Sequence, residues 1–173
     1  MLRFVEIALG IGLVSALLAG PTPAPGDNVR KTAPNFTLSD SKGAAVRLSD
    51  YKGKVVLLDF WATWCHGCKT EIPWYMEFQN RYKDQGLAVI GVSMDDGGWK
   101  SVKPFVEEQK MNYAVVIGNE ALAKLYAVDA LPVTLLIDRN GKIAVTHAGL
   151  VEKDAFEKEI QALLLDSAKN VPK

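Results

Sequence analysis

Hydrophobic positions change their spacing several times along this chain, and each change marks an element. "NFTLSD" and "AAVRLSD" alternate apolar and polar residues around "SKG", which predicts a short β-hairpin. "KVVLLDFWA" (54–62) and "LAVIGVSMD" (87–95) are continuous apolar runs of strand length, the pattern of strands covered on both faces. Residues 65–85 read as a helix, with Pro73 inside it predicting a kink. "GWKSVKPFVEEQK" follows as a helix, "YAVVIG" as a short strand and "EALAKLYAV" as another helix. "PVTLLIDRNGKIAVTHAG" predicts a hairpin turning at Asn140-Gly141. In the last helix Phe156, Ile160, Leu163 and Leu164 fall at i, i+4, i+7 and i+8, a stripe that faces a core. Strands alternating with helices and ending in a hairpin predict an α/β fold, a mixed central sheet flanked by helices.

The first twenty residues break this pattern. "MLRFVEIALGIGLVSALLAG" carries Arg3 and then an uncharged apolar run from Ile7 to Ala19. That run is short of the roughly twenty residues a spanning helix needs, and it fits the core of a secretory signal. Glu6 departs from the usual basic start, and counted from Leu2 the stretch nearly spans as a tilted anchor. Residues 1–20 are therefore expected to be a signal peptide or an N-terminal membrane anchor, and both readings place the protein outside the cytoplasm, in the periplasm or on the outer face of the membrane. No cysteine follows "LLAG", so no lipid attaches there. Pro21, Pro23 and Pro25 make 21–32 an extended linker, and one domain is expected over 33–173. Twenty basic residues balance twenty acidic ones with no basic stripe, which argues against a nucleic-acid partner.

The chemistry concentrates in "FWATWCHGCKTEIP" (60–73), which holds the only two cysteines, Cys65 and Cys68. A structural staple across two intervening residues closes almost no loop and restrains the unfolded chain little. A zinc site needs about four ligands, and the chain offers two thiols, His66 and a distant His147 that reads as an ordinary, partly exposed residue. Redox exchange explains more. Cys65 follows a buried strand at a helix start, where free N–H groups and the helix dipole favour a thiolate. Cys68, one turn inward, is placed to resolve a mixed disulfide.

These residues resemble the thioredoxin superfamily and, within it, the TlpA/ResA-like exported thiol–disulfide oxidoreductases. The likeness covers nearly all of 33–165. It rests on "APNFTLSD", "GKVVLLDFWATWC", "KTEIP", "GLAVIGVSMDD" and "YAVDALPVTLLIDRNGKI". It implies a thioredoxin-like fold with an N-terminal β-hairpin and an inserted helix–strand element over 97–118. It also implies a redox-active Cys65–Cys68 disulfide and a cis peptide before Pro132. Leu131 would face the sulfurs there and pair with an extended substrate segment. The expected partners are exported proteins with thiols or disulfides, apocytochrome c among them, and a membrane electron donor. Any membrane contact would run through residues 1–20. No cofactor or metal is expected.

Two carboxylates stand out. Asp59 interrupts an apolar strand, and Glu71 lies three residues after Cys68 on one helix face. The resemblance assigns them the proton of Cys68. His66 beside the nucleophile favours its thiolate and a more oxidising disulfide, while ionised Asp59 and Glu71 push the other way, so reductant and oxidant both stay open. Relatives commonly carry proline where this chain has Gly67. Trp64 is expected exposed as an apolar docking surface, with Phe60 and Trp61 in the core. Two alternatives remain, a copper carrier using the two thiols and an AhpC/TSA-type peroxidase. The peroxidase requires threonine and proline where Ala62 and Leu58 stand.

Overall fold

The computed structural model describes residues 30–166. The export segment expected over 1–20, and the linker as far as residue 29, lie outside the described residues. Strand β3 (Val55–Trp61) is buried along its whole length and forms the centre of a five-stranded sheet. It runs parallel to β4 (Leu87–Ser93), which is parallel to β5 (Ala114–Ile117). On its other side β6 (Val133–Ile137) is antiparallel to β3, and β7 (Ile143–Ala148) is antiparallel to β6. The order is β5-β4-β3-β6-β7. The expected N-terminal hairpin is present as β1 (Thr37–Ser39) and β2 (Ala45–Arg47).

Parallel neighbours need crossovers, and helices supply them. Helix α1 (His66–Tyr82) connects β3 to β4, and α2 (Trp99–Gln109) connects β4 to β5. The short α3 (Glu120–Leu125) precedes β6, and α4 (Lys153–Asp166) closes the described chain. Side chains alternate across β3, so Val56, Leu58 and Phe60 pack toward the β1–β2 hairpin and α3. Val55 and Leu57 face α1 and α4, among Tyr75, Phe78, Phe156 and Ile160. Each fully buried side chain of this size contributes about 1.5–3 kcal/mol. Continuing the same alternation sends Asp59 toward α1. A third cluster, with Trp61, both cysteines, Ile72 and Val102, joins the end of β3 to α2.

Several local expectations shift. Helix α1 continues through Pro73 and passes into a 3-10 turn at Lys83–Gln85. Helix α3 ends at Leu125, three residues before the apolar pattern does, because Ala127 takes a positive φ of 54° and Val128 N–H turns back to the Ala123 carbonyl. The β6–β7 turn is a longer loop than the Asn140-Gly141 signal predicts. Asp138 Oδ1 accepts from the N–H groups of Asn140 and Lys142, and only Gly141 has positive φ there. The linker's last residues already join the fold. Thr32 bridges Lys142, and Ile143 N–H donates to the Lys31 carbonyl at 2.8 Å, satisfying groups on the outer edge of β7. Among the described residues no helix is long and apolar enough to cross a membrane.

Candidate active site

Strand β3 ends against α1, and the turn between them carries Ala62, Thr63 and Trp64 into Cys65. Cys65 is the N-cap of α1: its backbone is extended, and its sulfur accepts the Cys68 N–H at 3.2 Å. That contact satisfies one of the free donors of the first turn and favours negative charge on Cys65 Sγ. Cys65 and Cys68 are joined by a disulfide, with Cα atoms 5.3 Å apart. Cys65 keeps 6% of its surface exposed, while Cys68 has none. Of the two sulfurs, that of Cys65 is the one nearer solvent.

The peptide between Leu131 and Pro132 is cis. A Cβ on Gly67 would stand 3.4 Å from Pro132 Cδ, so the helix start lies against the proline ring. Leu131 is half-buried against the cluster that contains both cysteines. Gly149 N–H donates to the Pro132 carbonyl at 2.9 Å, and the next residue, Leu150, is 57% exposed. Trp64, on the other approach, is 68% exposed. His66 is exposed on the first turn of α1.

Behind the sulfurs lies a buried polar cluster. Asp59 and Glu71 are 1% and 0% exposed. Neither Asp59 oxygen has a hydrogen-bond partner, nor do Glu71 Oε2, Trp61 Nε1 and the Tyr113 hydroxyl. Glu71 Oε1 accepts the Val151 N–H at 2.8 Å. Thr134 stands directly opposite Asp59 across β3 and β6, and its hydroxyl shares a 2.9 Å hydrogen bond with Tyr75 Oη. Burial pushes the Asp59 carboxyl well above the usual range, the Glu71 charge adds to this, and the nearby Thr134 hydroxyl offsets a little of it. Glu71 is also raised by burial, against the pull of the Val151 amide, the Tyr75 hydroxyl and His147. Burial first, and then the charges of Asp59 and Glu71, hold Tyr75 and Tyr113 in their neutral forms well above the ordinary phenol range.

The structure thus brings Cys65, Cys68, Leu131 and Pro132 together, with Asp59 and Glu71 buried nearby; Trp64 and His66 sit on the exposed rim. One contributor is not apparent from the cysteine motif alone. Asp95, buried at the end of β4, accepts from Thr63 and Ser93 and so holds the turn leading into Cys65. The acidic pair Asp95-Asp96 closing an apolar strand is the signal that marks it. His147 is partly exposed on β7, as expected; its Nε2 lies 2.8 Å from Glu159 Oε2 and its ring meets Phe156 edge-on. An accessible sulfur and a recessed one at a helix start can pass a disulfide to and from a partner, and a buried carboxyl can carry the accompanying proton.

The AhpC/TSA family matches residues 29–146. The chain is 38% identical over 136 residues to the thiol-disulfide oxidoreductase ResA of Geobacillus kaustophilus, covering 78% of each protein. It is 34% identical over 143 residues to ResA of Bacillus subtilis, covering 82% of this chain and 78% of that one. In three dimensions it superposes on a candidate thiol:disulfide interchange protein DsbE of Chlorobium tepidum with a TM-score of 0.74 and 36% identity, covering 78% of this chain and 96% of the other. Ala62 and Leu58, where the peroxidase reading requires threonine and proline, are fully buried apolar residues. The chain belongs to the AhpC/TSA family and, within it, to the ResA-like thiol–disulfide oxidoreductases of thioredoxin-like fold, redox enzymes whose Cys-x-x-Cys pair is here Cys65 and Cys68.

Proposed function

We propose that the protein is exported and reduces disulfides in other exported proteins, with the haem-binding cysteines of an apocytochrome c as one substrate class. Cys65, as thiolate, attacks a substrate sulfur; the substrate S–S bond breaks and a mixed disulfide forms. Cys68 gives its proton to a buried carboxylate, Glu71 or Asp59, and its thiolate attacks the Cys65 sulfur. The mixed disulfide breaks, the substrate leaves with both electrons, and the Cys65–Cys68 disulfide remains for a membrane electron donor to reduce. Leu131 and Pro132 would hold the substrate backbone, and Trp64 would give its surroundings an apolar dock.

One observation carries this reading: a slightly exposed sulfur at the N-cap is paired with a fully buried one, beside two buried carboxyls that have unpartnered oxygens. A carrier that only binds would gain nothing from burying acids beside a recessed thiol. Trapping with Cys68→Ser in the exporting host tests it. Covalent adducts should accumulate on Cys65 and be identified by mass spectrometry, whereas Cys65→Ser should trap far fewer. Absence of adducts from both, with stoichiometric Cu(I) bound by the reduced wild type, would replace this function with a carrier.

A further inference from the structure

We propose that Tyr75 and Thr134 form a hydroxyl switch between the two buried acids, handing a single hydrogen-bond donor to Asp59 or to Glu71 and so holding one negative charge between them. The inference rests on the preceding reading, in which one of these acids takes the Cys68 proton, and adds two positioning residues to it. Thr134 stands directly opposite Asp59 across β3 and β6, and directly opposed residues present their side chains on one face. The next pair on that face, Leu57 and Leu136, packs in the layer of α1 and α4. Tyr75 comes down on this face from α1, and its hydroxyl meets the Thr134 hydroxyl at 2.9 Å. Glu71 lies four residues before Tyr75, so the two side chains are neighbours on one face of the helix. All four residues are sealed from solvent, none of them more than 1% exposed.

Two hydroxyls carry two O–H donors, and the bond between them uses one. When Tyr75 donates to Thr134, the Thr134 O–H is left for Asp59; when Thr134 donates to Tyr75, the Tyr75 O–H is left for Glu71. Both Asp59 oxygens and Glu71 Oε2 are buried acceptors without a donor, so each acid has a place for it. The Thr134 hydroxyl favours the charged form of Asp59, and the Tyr75 hydroxyl that of Glu71. A second charge would find no donor left in the pair and would meet the first across a medium that screens it weakly. Passing the charge from Asp59 to Glu71 moves a proton from each oxygen to the next: Glu71 to Tyr75, Tyr75 to Thr134, Thr134 to Asp59. No proton is gained or lost, and the hydrogen bonds reverse direction. The other titratable groups around this row are Cys68 on α1, Tyr113 beside β5 and His147 on β7; α4 faces it with Phe156 and, behind His147, Glu159. Among the described residues, Trp61 Nε1 and the Tyr113 hydroxyl are the other buried side-chain donors without a partner, and both side chains lie against Gly91 of β4.

The test titrates the two carboxyls one at a time, by NMR of isotope-labelled side-chain carbons in the oxidised full-length protein, where neither cysteine titrates. With Asp59→Asn in place Glu71 titrates alone, and adding Tyr75→Phe should raise its midpoint by about one pH unit, the loss of one hydrogen bond to a charge. Adding Thr134→Val instead should leave that midpoint unraised, because the Tyr75 O–H is then always free. With Glu71→Gln in place the pattern should cross over: Thr134→Val raises the Asp59 midpoint by a similar amount, and Tyr75→Phe does not. Thr134→Ser in that background keeps the hydroxyl and should restore the midpoint. Tyr75→Phe keeps the buried ring and Thr134→Val keeps a branched strand residue, so the packing is preserved in both. A purely structural role would move the two midpoints alike in either variant, and that result overturns the switch. Midpoints that neither variant moves overturn it too, leaving Trp61 and Tyr113 as the donors. Failure of the preceding reading shows separately: a resolution rate whose pH dependence survives Asp59→Asn combined with Glu71→Gln removes the acids from the proton transfer, whatever their titrations show.

Discussion

Thr63 gives both of its donors to Asp95: the backbone N–H reaches Oδ2 at 2.9 Å and the hydroxyl reaches Oδ1 at 2.5 Å. Ser93 adds its own hydroxyl to Oδ2 at 2.8 Å. One carboxylate at the end of β4 thus fixes the turn that presents Trp64 and Cys65. Asp95→Ala leaves these donors without their acceptor in a largely buried place. Hydrogen bonds to a charged group contribute about 1.5–3 kcal/mol each, and partial rescue by water brings the expected loss to about 2–3 kcal/mol. Urea denaturation measures it, and a loss below ~0.5 kcal/mol would show that the turn is held by something else.

Cys65 should react before Cys68 in the reduced protein. Its sulfur accepts the Cys68 amide at the helix start and keeps some exposure, whereas Cys68 is sealed against α2 and the sheet. Iodoacetamide at pH 6, followed by peptide mass mapping, should find Cys65 labelled at least tenfold faster. Equal labelling would remove the N-cap as the source of reactivity.

Asp59 should make the protein less stable as pH rises. Its folded-state pKa is raised, by burial first and by Glu71 second, so the native state binds the proton more tightly than the unfolded chain. Below the unfolded value near pH ~3.9 both states hold that proton, and the stabilisation is complete. As pH rises from there through the folded value, the unfolded chain gains by ionising first and stability is lost. Asp59→Asn removes this dependence. It should raise stability at pH 8 by about 1–3 kcal/mol, the scale of an unpaired buried polar group, and much less at pH 4. Denaturation at the two pH values checks this, and a gain that is the same at both would refute the linkage.

Gly67 sits on the first turn of α1 with room for one methyl group against Pro132. Gly67→Ala lowers the conformational freedom of the unfolded chain and should stabilise the protein by about 0.5–1 kcal/mol. A fall in stability would mean that the 3.4 Å approach to Pro132 does not tolerate the added carbon.

The sequence by itself determined the elements and the two sulfurs. Apolar runs of strand length bounded by turn signals read as strands buried on both faces, as β3 and β4 are, and a four-residue motif between a strand and a helix puts Cys65 at the helix start. Local chemistry also marked Asp59, an ionisable residue inside an apolar strand, and Glu71, by its spacing from Cys68 on one helix face. What it left undecided depends on groups far apart in the chain. The β6–β7 turn holds Asn140-Gly141, but the Asp138 side chain lengthens it, and Thr32 bridges Lys142 beside β7. Asp95 meets Thr63 across 32 residues, and Val151 meets Glu71 across 80. Thr134 faces Asp59 only because β3 and β6 pair in one register, and a shift of one residue would turn its hydroxyl to the opposite face, away from Tyr75. Period and propensity act over a few residues, so they place a side chain on a face. Which charge it then meets is decided only when the sheet closes and α1 and α4 pack down upon it.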